Sequence, residues 1–326
     1  MNRRDVVSML GSAAVGWPLV AHAQQKAMPV IGFLGGFAPS MSVLIELEQA
    51  AFRQGLSETG YVDGQNVTIE YRRGEGHLDR LPALAADLVA RKVDVIVTQG
   101  GDSATSAAKQ ATSTIPILFH TINDPVAAGF VASLARPGGN LTGVSLMLTE
   151  LMPKRLELLL EVVPQARVIA LLSNPDELST ESIIGHMQEA ARAKRVDLHV
   201  LNARTESEID GAFATLVQLR ADGLVLGATG FRPQIAALAS RHAVPAIAPQ
   251  RDFADVGGLL SYGPSNTAVY HLKGIYTGRI LKGEKPGDLP VQQPTTFELV
   301  VNLKTAAAVG LTLPPSILAR ADEVIE

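Results

Sequence analysis

Two hydrophobic registers alternate along most of this chain. Short apolar or β-branched runs bounded by glycine or proline are followed by stretches in which apolar residues recur every three or four positions. The first pattern predicts a strand covered on both faces, and the second a helix laid against it. The clearest case is Val93-Asp94-Val95-Ile96-Val97-Thr98, then Gly100-Gly101, then a helix face of Ala104, Ala107, Ala108 and Ala111. Before it, residues 29–34 predict a strand ending in Gly35-Gly36-Phe37. Met41, Ile45, Phe52 and Leu56 then share a helix face that Gly60 closes. Residues 66–71 alternate as a strand, and Leu81, Leu84 and Leu88 mark a helix with Pro82 in its first turn. Residues 115–120 predict a further strand, followed by Thr121-Ile122-Asn123-Asp124-Pro125 and a short helix to about Ala135.

Pro137-Gly138-Gly139-Asn140 is a turn cluster, and residues 141–146 predict a strand leaving this first unit. The pattern then restarts. Strands are predicted at 167–172, 197–201, 223–226 and 245–248, with helices between them; Thr205 and Glu208 have capping-box spacing. Residues 258–262 predict another strand, Val269, Leu272, Tyr276 and Ile280 a helix face, and residues 297–302 a last strand. Strand–helix alternation of this kind predicts an α/β fold of two Rossmann-like lobes with parallel sheets. Two lobes with leftover tail elements imply several crossings between them, hence a multi-segment hinge.

Length supports two cores, since the chain has 326 residues. Charge is nearly balanced, with 28 Lys+Arg against 32 Asp+Glu and no basic stripe, so nucleic acid is not an expected partner. The first residues stand apart from the fold. Arg3 and Arg4 precede an apolar run over residues 6–19, and Ala21-His22-Ala23 fits a small-residue cleavage site. Residues 1–23 are therefore read as a signal peptide, exported by the Sec or twin-arginine route, which places the mature chain in the periplasm. The chain has no cysteine, so neither a disulfide nor a lipidated thiol is available to it.

Catalytic signatures fail. There is no G-x-S-x-G, P-loop or G-x-G-x-x-G after a strand, and the histidines lack metal-ligand spacing. No catalytic residue, metal or cofactor is expected. What recurs is a small or polar loop after each strand, which in an open α/β sheet faces the ligand crevice. Gly35, Phe37, Gly101, Ser103, Thr121, Asn123 and Asp124 are the ligand-binding candidates of the first lobe. Ser173, Asn174, Thr229, Gln250, Arg251 and Tyr262 are those of the second. Backbone N–H groups and hydroxyls suit an anionic end of a ligand, Asp124 or Asp252 an ammonium, and Phe37, Phe231 or Tyr262 an apolar body. Asp124 before Pro125 also reads as a local cap.

Several blocks carry a family resemblance: residues 58–67 (Glu-Thr-Gly-Tyr-Val-Asp-Gly-Gln-Asn-Val), residues 124–129 beginning Asp124-Pro125, residues 136–143 (Arg-Pro-Gly-Gly-Asn-Leu-Thr-Gly), and the tail from Phe297 to Ala306 and Pro314 to Glu323. Together they resemble the ABC-transporter substrate-binding proteins related to tryptophan- and tyrosine-binding receptors. The resemblance implies the type I periplasmic binding protein fold, a small-molecule ligand in the interlobe cleft, hinge closure, and an ABC permease in the inner membrane as partner. It also implies that the helix from about Asn266 returns to the first lobe and the strand after it joins the second, so that residues 28–145 plus 258–285 are expected to form the N-terminal lobe and residues 146–257 plus 286–326 the C-terminal lobe. The expected protein is a monomeric, non-enzymatic binder of an amino-acid-like solute. A receptor serving a sensor kinase or chemoreceptor, and an exported α/β enzyme, are the alternatives.

Overall fold

The computed structural model describes residues 28–36, 42–227 and 229–326. The expected signal peptide and Phe37 lie outside them.

Strand β1 (Val30–Gly35) leads into helix α1 (Ser42–Glu58), followed by β2 (Thr68–Arg73), α2 (Leu81–Ala90), β3 (Val95–Gln99), α3 (Asp102–Ala111), β4 (Ile117–Thr121) and β5 (Leu141–Ser145). These strands form a five-stranded sheet in the order β2-β1-β3-β4-β5, parallel throughout. Alternation along β3 decides its packing. Ile96 enters the core under α2 and α3, while Val95 and Val97 enter the one on the opposite face with Phe52 and Leu56 of α1. Both faces are apolar because helices cover both.

The helix expected between Pro125 and Ala135 does not form. Asp124 Oδ1 accepts from the Val126 and Ala127 N–H groups, and the turn closes on Gly129 with a positive φ of 69°. The segment is used up in turns before a helical ladder can propagate.

The second lobe follows: α4 (Met152–Val162), β6 (Val168–Ser173), α5 (Thr180–Lys194), β7 (Asp197–Asn202), α6 (Glu206–Gln218), β8 (Gly223–Leu226), α7 (Arg232–Arg241), β9 (Ala246–Ala248), α8 (Asp252–Asp255) and β10 (Leu260–Gly263). Thr205 caps α6 by accepting from the Glu208 N–H, as its spacing predicts. Helix α9 (Asn266–Leu281) comes next, then β11 (Glu298–Asn302), α10 (Leu303–Ala308), α11 (Pro315–Leu318) and β12 (Glu323–Ile325). The second sheet is seven-stranded, in the order β12-β11-β10-β9-β8-β6-β7, with β11 antiparallel to β10. Ile169 and Leu171 of β6 face one core and Ala170 and Leu172 the other.

The tail differs from the sequence partition. Strand β10 pairs with β9 and β11, so residues 260–263 belong to the second sheet and not to the first lobe. Conversely, Leu289 and Val291 are buried in the first lobe, and Gln292 exchanges backbone hydrogen bonds with Gly143 and Ser145. A β-branched run shows that a strand exists; which sheet receives it depends on the edge left open by distant segments. Helix α9 lies on α1 at very close range: a Cβ on Gly274 would sit 2.1 Å from the Phe52 carbonyl oxygen. The chain therefore passes between the lobes after β5, between β10 and α9, and again before β11.

Candidate functional site

Both sheets point the carboxyl ends of their parallel strands at the same interlobe space. A cleft of about 1010 Å³, measured out to its open mouth, lies there. It is bordered by Gly36 after β1, Gly100 and Gly101 after β3, and His120 and Ile122 at β4. From the other lobe come Asn174 and Glu177 after β6, Thr229 and Phe231 after β8, and Pro249 and Gln250 after β9. Both switch points of the strand order, β1/β3 and β6/β8, open onto it, as the rule for doubly wound sheets requires.

Gly100 and Gly101 each have φ of 94°, a left-handed value that a side chain strains. Their turn brings the start of α3 to the cleft edge. Asp102, first residue of α3, turns away from it. Its Oδ1 accepts from the Ile122 N–H and its Oδ2 from the Asn123 amide, so it ties the β3 loop to the β4 loop. Burial raises its pKa, and those hydrogen bonds oppose the rise.

The first lobe's wall carries a buried polar cluster. Glu48 of α1 is 1% exposed and accepts from Gln99 Nε2 at 2.6 Å and Asn266 Nδ2 at 3.1 Å. Burial pushes its carboxyl up to about 7, against the pull of Gln99 and Lys273. Lys273 of α9 is wholly buried, donates to the Thr98 carbonyl, and lies 4.5 Å above the Tyr270 ring. Burial brings its pKa down to about 7. Its Nζ is also 3.4 Å from His120 Nδ1. Burial first, and Lys273 second, hold His120 well below its usual pKa, so it is neutral.

The second lobe supplies arginines. Arg232 of α7 donates to Asp252 at 2.6 Å and to Gln250 Oε1 at 3.0 Å. Arg155 of α4 is fully buried. Its Nε donates to the Tyr262 carbonyl and its Nη1 to the Leu148 carbonyl, each at 2.9 Å. Leu78, Ile122, Leu146, Leu148, Met152 and Phe231 add apolar surface. Among the described residues no group of three His, Cys, Asp or Glu side chains is arranged to hold a metal ion.

Of the residues singled out from sequence, Gly101, Asn174, Thr229, Phe231 and Gln250 border the cleft. The structure places the other described ones elsewhere or turns them to other work. Gly35 sits in β1, its carbonyl taken by the Gly74 N–H. Ser103 donates to Glu177 of the opposite lobe. Thr121 and Asn123 bond within the β4 loop, and Asp124 is an exposed turn cap. Ser173 is buried beside Thr180. Arg251 is half-exposed and paired with Glu323 and Asp255. Tyr262 offers its carbonyl to Arg155 while its ring packs on Phe297. Glu48, His120, Arg155 and Glu177 were not singled out as ligand contacts. Glu48 and Arg155 lie on helices, His120 inside β4 and Glu177 past the first residues of its loop; the sequence signal for the two helical residues is a charge amid an apolar helix face.

A family model described as ABC transporter substrate binding protein matches residues 44–325. A tyrosine-binding protein of Clostridioides difficile is 27% identical over 273 residues, which is 82% of this chain and 77% of that protein. Two solved structures cover 91% of this chain and 99% of their own. One is a conserved domain protein from Vibrio cholerae (TM-score 0.82, 24% identity); the other is a Streptococcus domain in complex with L-Trp (TM-score 0.80, 27% identity). A ligand-free, open substrate-binding protein from Clostridium difficile, at 25% identity and the same coverage, superposes less well, with a TM-score of 0.64. The architecture they share with this chain is the type I periplasmic binding protein fold. Among the described residues no helix is long and apolar enough to cross a membrane.

Proposed function

Because the chain belongs to the family of ABC transporter substrate binding proteins, we propose that it captures an amino acid with an aromatic side chain between its lobes and delivers it to an ABC permease in the inner membrane. The observation that carries this reading is the cleft itself. Its apolar border of Leu78, Ile122, Met152 and Phe231 suits a ring, and its buried Glu48 and Arg155 suit the charged ends of an amino acid. The relatives that bind tyrosine and L-Trp point to the same class of ligand.

The mechanism is hinge closure. Ligand that touches both lobes favours the closed form by its differential affinity for that form, and the permease reads the closed surface. No covalent step is involved. Residues 1–23 serve as the export signal, and the mature protein works as a monomer in the periplasm.

The test is a thermal-shift screen of residues 24–326 against L-tyrosine, L-tryptophan, L-phenylalanine, aliphatic amino acids, sugars and nucleosides. A ligand that binds only the native state raises the melting temperature. The single tryptophan of the sequence, Trp17, is absent from that fragment, so bound L-tryptophan can be followed by its own fluorescence. A shift with aromatic amino acids supports the proposal; a shift with sugars or nucleosides alone overturns it.

A further inference from the structure

We propose that the Nη2 end of Arg155 is the anchor for a ligand carboxylate, and that the same guanidinium ties that carboxylate to one segment passing between the lobes and to the strand end that leads into another. The inference rests on the reading that ligand occupies this cleft.

Three arginines border the cleft, and two are already satisfied. Arg204 is half-exposed and faces Asp176 and Glu208. Arg232 has a carboxylate, Asp252, at 2.6 Å, and Gln250 beside it. Arg155 is different. It is the largest fully buried side chain among the described residues, yet no carboxylate there lies within 4 Å of it. Nε and Nη1 are spent on carbonyls, with Met152 Sδ also 3.1 Å from Nη1; Nη2 is buried and has no hydrogen-bond partner. Burial draws its pKa down to about 9, and Tyr262 is the one neighbour that opposes this.

A buried cation with an unused N–H₂ is costly unless something negative meets it. The cleft is the direction from which an anion can arrive, because Arg155 borders it and no carboxylate of the described residues reaches its guanidinium. A carboxylate is the suitable anion: planar, singly charged, and matched to a guanidinium edge by charge-assisted hydrogen bonds. A phosphate would bring more charge than one half-used guanidinium offers.

The other two donors extend the inference. Leu148 lies in the first crossing, after β5, and Tyr262 lies two residues before the second begins at Pro264. Gly263 between them has no room for a side chain, since a Cβ there would be 2.0 Å from the Pro249 carbonyl oxygen. Arg155 therefore clips the first crossing, and the strand end that leads into the second, to α4. An anion on Nη2 completes the same guanidinium that holds them, so the carboxylate is sensed at the hinge and not only at the cleft wall.

The test compares L-tyrosine with L-tyrosinamide and tyramine, by calorimetry, on the unaltered protein and on Arg155→Met. On the unaltered protein the acid is expected to bind about ten- to hundredfold more tightly than either carboxylate-free analogue. In Arg155→Met that preference falls to near unity. Should Arg155→Met fail to fold, the analogue series on the unaltered protein still decides, and Arg155→Lys, which keeps the charge without the fork, should retain part of the preference. Equal affinity for tyrosine and tyrosinamide overturns this inference while leaving the binding function standing. Binding of carboxylate-free solutes alone overturns both.

Discussion

Ser103 Oγ donates a hydrogen bond of 3.0 Å to Glu177 Oε2 across the cleft, joining the first turn of α3 to the loop after β6. The two residues are 74 positions apart and belong to different lobes. This contact exists only when the lobes are together. A hydrogen bond between neutral groups contributes about 1 kcal/mol net, and the raised pKa of Glu177 favours its neutral form. Ser103→Ala should therefore weaken ligand affinity about fivefold by depopulating the closed form, with no change in the melting temperature of the unliganded protein. Small-angle scattering with saturating ligand reads the closed fraction directly. An unchanged affinity would show that closure does not use this bond.

Glu177 also makes closure sensitive to pH. Its carboxyl is pushed up to about 7, first by burial and then by Asp102 and Asp176, while Ser103 pulls it down. In an open cleft it would return toward the ordinary value of 4.5. An acid whose pKa rises on closing takes up protons between those values, so closure is favoured below about 4.5 and loses this contribution as pH rises through 7. Calorimetry at pH 6 in two buffers of different ionisation enthalpy should detect proton uptake on binding. Glu177→Gln should remove that share, and identical uptake in the variant would contradict the assignment.

Glu48 predicts a stability effect in the folded chain as a whole. Its folded pKa is about 7 against 4.5, through burial, so it costs nothing at low pH and costs progressively more as pH rises from 4.5 through 7. Lys273, lowered by burial from 10.5 to about 7, acts in the separate window above 7. Glu48→Gln should flatten the fall in melting temperature between pH 4.5 and 7 and leave the alkaline limb to Lys273. Because Glu48 borders the cleft, the same variant should weaken ligands with an ammonium group more than those without it.

The α1–α9 contact makes a contrast between two glycines. Gly274 has backbone of α1 where a Cβ would go, 2.1 Å from the Phe52 carbonyl oxygen, whereas Gly185 in α5 has nothing within 4 Å. Overpacking a close helix crossing costs about 1–3 kcal/mol, and filling an unobstructed helical glycine with alanine contributes about 0.5–1 kcal/mol. Gly274→Ala should lower the denaturant midpoint and Gly185→Ala should raise it. Equal responses would mean that the crossing relaxes freely.

Much of the architecture follows from local pattern. The apolar runs at β1, β3, β4, β6 and β8 specify strands buried on both faces. The glycine and polar punctuation after them places loops at the carboxyl edge. Thr205 and Glu208 announce the start of α6. These features rest on residues a few positions apart, which a linear reading sees. The turns after Asp124 were harder, because an Asx cap and a helix N-cap begin with the same residue.

What a side chain at a given loop or helix position faces is decided elsewhere. Asp124, Glu177 and Glu48 are all acids near strand–helix junctions or helices, yet Asp124 caps an exposed turn while the other two line the cleft. Arg155 reads as an ordinary polar residue on an apolar helix until Leu148 and Tyr262, the latter 107 positions away, supply the carbonyls that bury it. Sequence alone determined the alternation of strand and helix, because hydrogen bonding and apolar burial along a segment are set by its own period. Tertiary structure alone decided which polar groups meet across the hinge, because their desolvation depends on surfaces that come together only when both sheets and all three crossings are in place.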